Sequence, residues 1–298
     1  MNIVLKKADF SAISIGKVVL LPTSISEETK SILDLYTNSN ITSNSRRAYV
    51  LEWLLDKLKN NDYCNFIEVA DSLYIPVFAL NVKDCFNDII SKHSINADGI
   101  PASETDPWLA KCSVSNEGII PDSDLNGSFN SAHGVRIKIL RNFSCENKTY
   151  FGYSNSDKAY SEYPFCPINV FSINHNASIG SLNTVNAIFS YPNTEGNVTP
   201  SYKPISGSSK GLWANIYPSV GGKQLIGYKG NIEETDNIVG SYTEPDSKIR
   251  IFNRVTGTNY THPAAPIAIV GILNKAISNE EFNYLNDVFR EFCSLLGE

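Results

Sequence analysis

From Gly134 onward, glycine, proline, serine and asparagine cut the chain into short apolar or alternating runs. These are GVRIKIL (134–140), INVFSIN (168–174), TVNAIFSY (184–191), GLWANIY (211–217), QLIGYKG (224–230), KIRIFNRV (248–255) and PIAIVGIL (266–273). They are of strand length, they lack a 3.6-residue period, and turn formers separate them, so they point to strands rather than helices. Many short strands buried against one another pack as a sandwich or barrel, so residues 96–276 are expected to be an antiparallel β-sandwich. Within it, PSVGGKQ (218–224) is a hairpin signal, because Gly221 and Gly222 accept positive φ.

The chain ends differently. Ser278 followed three residues later by Glu281 is a capping box, and Phe282, Leu285, Val288, Phe289, Phe292 and Leu295 recur on one helical face. Gly297 is placed to end that helix. So apolar a face must be buried, and its phenylalanines alone should contribute on the order of 5 kcal/mol. Residues 23–95 also read as helical. Ser24 with Glu27 forms a second capping box, and Ile25, Ile32, Leu33 and Tyr36 follow near one face. Val50, Leu51, Leu54, Leu55 and Leu58 make a helical stripe. Further short helices are expected over 62–73, with Phe66, Val69, Ala70 and Leu73 inward, and over 82–91, with Val82, Phe86, Ile89 and Ile90 together. Residues 1–22 read as strand-like segments, NIVLKK and IGKVVLLP, ended by Pro22.

Net charge narrows the partners. A formal charge of −6 without a basic run argues against nucleic acid or an anionic membrane as the main partner. Neither a secretory signal nor a transmembrane run is apparent. The six cysteines (Cys64, Cys85, Cys112, Cys145, Cys166 and Cys293) lack CxxC pairing, so they are read as reduced thiols and not as zinc ligands.

At this point the residues carry a resemblance. APIAIVGILNKAISNEEFNYL (265–285) resembles the strand, turn and helix that end laminin-G-like and concanavalin-A-like jelly rolls. GLWANIYPSVGGKQLIGYKGN (211–231) resembles a hairpin of the same domains, with Tyr228-Lys229-Gly230-Asn231 at its turn. Leu73-Tyr74-Ile75-Pro76 ahead of the strands, and Gly118 leading to Asn130-Ser131-Ala132-His133, are similar to phage fibre proteins with such a domain. The opening MNIVLKKADFSAISIGKV resembles structural proteins of phages of gut Bacteroidales.

The resemblance implies a mainly β chain. A concanavalin-A-like jelly-roll sandwich with a C-terminal helix would occupy 96–298, after an attachment segment at 1–22 and a helical region at 23–95. It implies a virion component, a tail or head fibre assembled in the host bacterial cytoplasm. Its partners would be other virion proteins, itself in a homo-oligomer, and host-surface glycan, with no cofactor.

Catalysis and metal binding are expected to be absent. GSSKG (207–211) fits the nucleophile-elbow pattern at Ser209, but a strand-like run follows instead of a helix. DSDLNGSFNSAH (122–133) starts like a calcium loop, yet His133 stands where a bidentate Glu belongs. NIEETDNI (231–238), read as a solvated loop, lacks the ExDxxE spacing of glucan-cleaving relatives of the fold. His93, His133, His175 and His262 show no ligand spacing.

Sugar binding remains, with aromatic faces for stacking and amides for hydroxyls. The candidates are Asn259, Tyr260 and His262 in one loop, Tyr160 and Tyr163 in another, and Trp213 with Tyr217 on a strand face. For assembly the candidates are Ile3, Leu5, Phe10, Ile15, Val18 and Leu20, too apolar a segment to leave in water and too short to form its own core.

Overall fold

The computed structural model describes residues 19–92, 112–115, 118–121, 135–137, 147–155, 168–169, 210–218, 221–228, 230–238, 249–251 and 267–297. In chain order its elements are α1 (Glu27–Leu33), α2 (Arg46–Lys59), β1 (Ala70–Tyr74), β2 (Cys112–Ser115), β3 (Gly118–Pro121), β4 (Val135–Ile137) and β5 (Lys148–Ser154). There follow β6 (Ile168–Asn169), β7 (Gly211–Tyr217), β8 (Lys223–Tyr228), β9 (Asn231–Ile238), β10 (Ile249–Ile251), β11 (Ile269–Leu273) and α3 (Asn279–Gly297). The architecture is α+β: a six-stranded sheet in the order β1-β11-β5-β7-β8-β9, a three-stranded sheet β4-β10-β6 and the hairpin β2-β3. Among the described residues every pairing is antiparallel.

Three local sequence expectations need correction. Ser26, not Ser24, caps α1, its hydroxyl accepting from Thr29 N at 3.2 Å. The acid that completes the cap comes from α2: Glu52 accepts from both the backbone N–H and the hydroxyl of Ser26 at 2.8 Å. Residues 62–73 do not form a helix. Asn61 Oδ1 takes the N–H groups of Tyr63 and Cys64, and Asn65 Oδ1 takes those of Ile67 and Glu68, so side chains compete with helical bonding. The chain then enters β1, which pairs with β11. Over 82–91 there is only a 3-10 turn, Lys83–Phe86, because Asn81 captures the N–H of Asp84 and Asp88 that of Ile90 in the same way.

β1 is an edge strand, and the loop after it closes its outer side around Leu73 and Tyr74. Leu73 donates its N–H to Asp88 Oδ1 at 3.0 Å and accepts from Ile89 N at 3.0 Å. An edge covered by its own loop does not offer unpaired groups to another chain.

The expected hairpin at Gly221 is present, with β7 and β8 paired and Gly221 at φ +89°. A second, tighter hairpin joins β8 to β9, where Tyr228 faces Asn231 and Gly230 has φ +81°. NIEETDNI is therefore the edge strand β9 and not a loop. β5, which has no strand pattern in the sequence, lies between β11 and β7 near the middle of the sheet.

The closing helix forms as its sequence indicates. Ser278 N donates to Glu281 Oε2 at 2.9 Å and Glu281 N donates to Ser278 Oγ at 3.3 Å, completing the box. All six expected apolar residues of α3 are buried. The helix crosses one face of the six-stranded sheet; Gly227 lets it approach, and Gly271 leaves room for the cross-strand ring on which it packs. A Cβ on Gly227 would stand 2.6 Å from Phe282 Cε2, and one on Gly271 would stand 2.4 Å from Phe151 Cζ. Phe151 in turn stacks on Phe289, ring centroids 5.5 Å apart. Polar groups set the crossing: Asn279 Oδ1 accepts from Ile232 N at 2.7 Å, and Asn286 Oδ1 accepts from Leu212 N at 2.9 Å. α2 packs beside α3 on the same side, with Leu58 and Leu285 meeting above Leu73, Leu273 and Phe151. One hydrophobic core therefore joins residues of 23–95 to residues of 96–298.

Candidate functional site

Among the described residues, one grouping of reactive side chains lies where three segments meet: the loop after α2, the turn between β11 and α3, and the first turns of α3. Its members are Cys64, Lys275 and Glu281, with Tyr63 and Tyr284 alongside.

Local structure fixes each one. Asn61 holds the loop, donating from Nδ2 to Leu58 O at 3.2 Å and Cys64 O at 2.9 Å while accepting from Cys64 N at 3.1 Å. Lys275 O accepts from Thr149 Oγ1 at 2.6 Å, which ties the turn to β5. Asn274 N donates to Val69 O at 2.6 Å, so the two segments are stitched together one residue from Lys275. Glu281 is held by the capping box and forms an ion pair with Lys275.

The electrostatics follow from partial burial. The Cys64 thiol is half-buried and interacts with both Lys275 and Glu281. Burial raises its pKa above the ordinary cysteine value, with Lys275 pulling the other way, so at neutral pH it is a thiol and not a thiolate. Burial works against the Lys275 ammonium, but Glu281 and Cys64 outweigh it and hold the pKa above that of a free lysine. The outcome is a Lys275–Glu281 ion pair whose charges act on the nearby Cys64 thiol. Beside them Tyr63 tilts against Tyr284 at 5.3 Å between centroids, and Tyr284 donates its hydroxyl to Lys57 O at 2.7 Å.

A second polar grouping is structural. Asp84 is 2% exposed and accepts from Thr37 N at 2.9 Å and Asn81 Nδ2 at 2.7 Å. Asp88, 5% exposed, accepts from Leu73 N, Ile90 N and Ser91 Oγ. Arg47 lies over the Phe78 ring and donates to Phe78 O at 2.7 Å. These bonds fold the loop onto the β1 edge.

The residues singled out from sequence separate into two groups. Asn259, Tyr260, His262, Tyr160 and Tyr163 lie outside the described residues, as do Ile3, Leu5, Phe10, Ile15, Val18, Ser209, residues 122–133 and the four histidines. The remaining ones can be placed. Trp213 corrects the expectation of an exposed sugar platform: it is 3% exposed, sits opposite Gly152 on β5, and is core. Tyr217 ends β7 opposite Lys148. Leu20 is 83% exposed, while its neighbours Val19 and Leu21 pack against the core. Cys64, Cys85 and Cys293 are free thiols. Cys145 and Cys166 lie outside the described residues.

The Cys64–Lys275–Glu281 grouping was not recognised from sequence, because more than two hundred residues separate its first two members. Among the described residues no cluster of His, Cys, Asp or Glu can hold a metal ion, and no helix is long and apolar enough to cross a membrane. Compared with known proteins, the chain matches no family and no curated sequence.

Proposed function

We propose that the chain is a non-enzymatic structural component of a bacteriophage virion, a tail or head fibre subunit that presents a concanavalin-A-like jelly-roll sandwich to host-surface glycan. The observation that carries the fold part of this reading is burial on both faces of the central sheet. On β5, Phe151 and Tyr153 meet Phe289 of α3, yet Tyr150 and Ser154, on the opposite face, are 1% and 0% exposed. Trp213 on β7 is buried on that same face. A sheet covered by a helix on one side and buried on the other belongs to a layered domain, and a second sheet is the layer that a jelly roll supplies. The strand, turn and capped helix at 267–297 support the same reading, since the resemblance to jelly-roll endings rests on those residues.

The virion assignment rests on the resemblance of residues 1–18 and of the element order. Assembly with other virion proteins or with itself would run through residues 1–22, and the exposed Leu20 lies at the end of that segment. A purely structural subunit without a ligand is the second reading, favoured by the burial of Trp213, which removes one of the sugar candidates.

The test has two arms. Mass spectrometry and antibody labelling of purified virions should find the chain at stoichiometric amounts on the particle surface. A glycan array probed with the purified protein should then return host-type glycans. Absence from particles would sink the virion reading, and particles without glycan binding would leave the structural subunit.

A further inference from the structure

We propose that Lys148 and Asp71 condense to an isopeptide bond, Lys148 Nζ–Cγ Asp71, which joins β5 to the edge strand β1 across the end of β11. The inference concerns these side chains alone and does not rest on the virion reading.

Strand register brings the two groups together. β1 slips against β11 between the Ala70–Leu273 and Ser72–Ile272 pairs, so Asp71 is an extra residue in its strand. Such a bulge re-aims the side chain it carries. On the other side of β11, Leu273 pairs with Thr149, which leaves Lys148 at the start of β5, level with the end of β11. Asp71 Oδ2 forms an ion pair with the Lys148 ammonium, and Asp71 Oδ1 accepts from Asn274 Nδ2. The amine is therefore in contact with the carboxyl group whose carbon it would attack.

Backbone groups hold this arrangement. Asn274 N donates to Val69 O at 2.6 Å, two residues before Asp71. Thr149, next to Lys148, donates Oγ1 to Lys275 O at 2.6 Å, next to Asn274. Reactants fixed in contact reach effective molarities of about 10⁵–10⁸ M, which offsets the excess of water that opposes an amide in solution. The Lys148 and Asp71 side chains are each 11% exposed, so water is largely kept from reversing the step. An amide also removes two charges that are costly to bury.

The ammonium passes one proton to Oδ2, which leaves a neutral amine and a carboxyl group. Nζ attacks Cγ, and Oδ1 carries the developing charge while Asn274 Nδ2 donates to it. A second proton moves from Nζ to Oδ2, the Cγ–Oδ2 bond breaks, and Oδ2 leaves as water. The third hydrogen stays on the amide nitrogen. Nothing is oxidised or reduced, so the step needs no co-reactant. Asn274 is exposed, which gives the water a way out.

The experiment weighs the purified full chain intact by mass spectrometry, after denaturation. The parent should be lighter than its sequence by one water, about 18 Da. A tryptic digest should give a branched peptide containing Asp71 and Lys148, uncut after Lys148. Lys148→Arg keeps a cation for Asp71 and should weigh its full sequence mass, as should Asp71→Ala. The proposal is overturned if the parent, held for days at neutral pH, keeps its full mass, or if the loss persists in Lys148→Arg. It is equally overturned if the loss is the roughly 17 Da of ammonia, with the branch at Asn274.

Discussion

Gly227 sets how closely α3 can lie on the sheet, and Gly271 leaves room for the Phe151 ring on which α3 packs. In each case an added methyl meets a phenylalanine ring that is itself fully buried, so the ring cannot swing away into solvent. Gly227→Ala and Gly271→Ala should each destabilise the fold by about 1–3 kcal/mol, the usual cost of overpacking. Urea melts would check this, and an unchanged midpoint for either variant would mean that the close approach is not a constraint. Two carboxylates should give opposite signatures against pH. Burial raises Asp88, so its folded pKa exceeds the unfolded one; stability from this group is present at low pH and lost as pH rises through the folded value. Asp88→Asn, which can still accept from Leu73 N and Ile90 N, should melt above the parent at neutral pH, and the gap should narrow on acidification. Burial opposes the Glu52 carboxylate, but hydrogen bonds from Thr29 and Ser26 outweigh it and depress the pKa. Its contribution is present above the unfolded carboxylate range and lost as pH falls. Glu52→Gln should therefore melt below the parent at neutral pH, with the gap closing in acid. Thermal melts from neutral to acid pH check both signs.

At the scale of elements, α3 is held by its cap and by its apolar face. Ser278→Ala should cost about 1 kcal/mol, a typical N-cap loss. Phe289→Ala should cost about 3–5 kcal/mol, since the ring packs on both Phe151 and Tyr153. Chemical denaturation of both variants would test the ranking. What the sequence revealed also divides by element. α2 and α3 were legible because each buries one stripe and shows the rest to solvent, which writes a period into the chain. β5, KTYFGYS, was not, because burial on both faces removes the alternation that marks a strand. β1 was misread as helix because Phe66, Val69, Ala70 and Leu73 do recur at helical spacing; pairing with β11, almost two hundred residues away, overrides that local signal. The cap of α1 was placed two residues early because its acid, Glu52, comes from another helix. For the same reason Cys64, Lys275 and Glu281 were invisible as a group.

At the scale of the whole molecule, the change in character near residue 95 looks like a domain boundary, but the packing crosses it. β1 supplies one edge of the six-stranded sheet, and α2 covers the flank of α3. Polar bonds cross as well: Tyr284 donates to Lys57 O at 2.7 Å, Arg46 donates to Leu295 O at 3.2 Å, and Lys148 pairs with Asp71. A chain cut at residue 95 would expose Leu285, Leu273 and Phe151, now covered by Leu58, Phe66 and Leu73. Each of those three lost side chains is worth roughly 1.5–3 kcal/mol of burial, which together rivals the entire stability of a typical domain. The fragment 96–298 should therefore bind a hydrophobic dye, lack near-ultraviolet dichroism and melt without cooperativity. Supplying residues 19–95 in trans should restore a cooperative transition, because the missing strand edge and helix surface are then refilled. A fragment 96–298 that melts cooperatively near the temperature of the full chain would show that β1 and α2 merely decorate a self-sufficient fold.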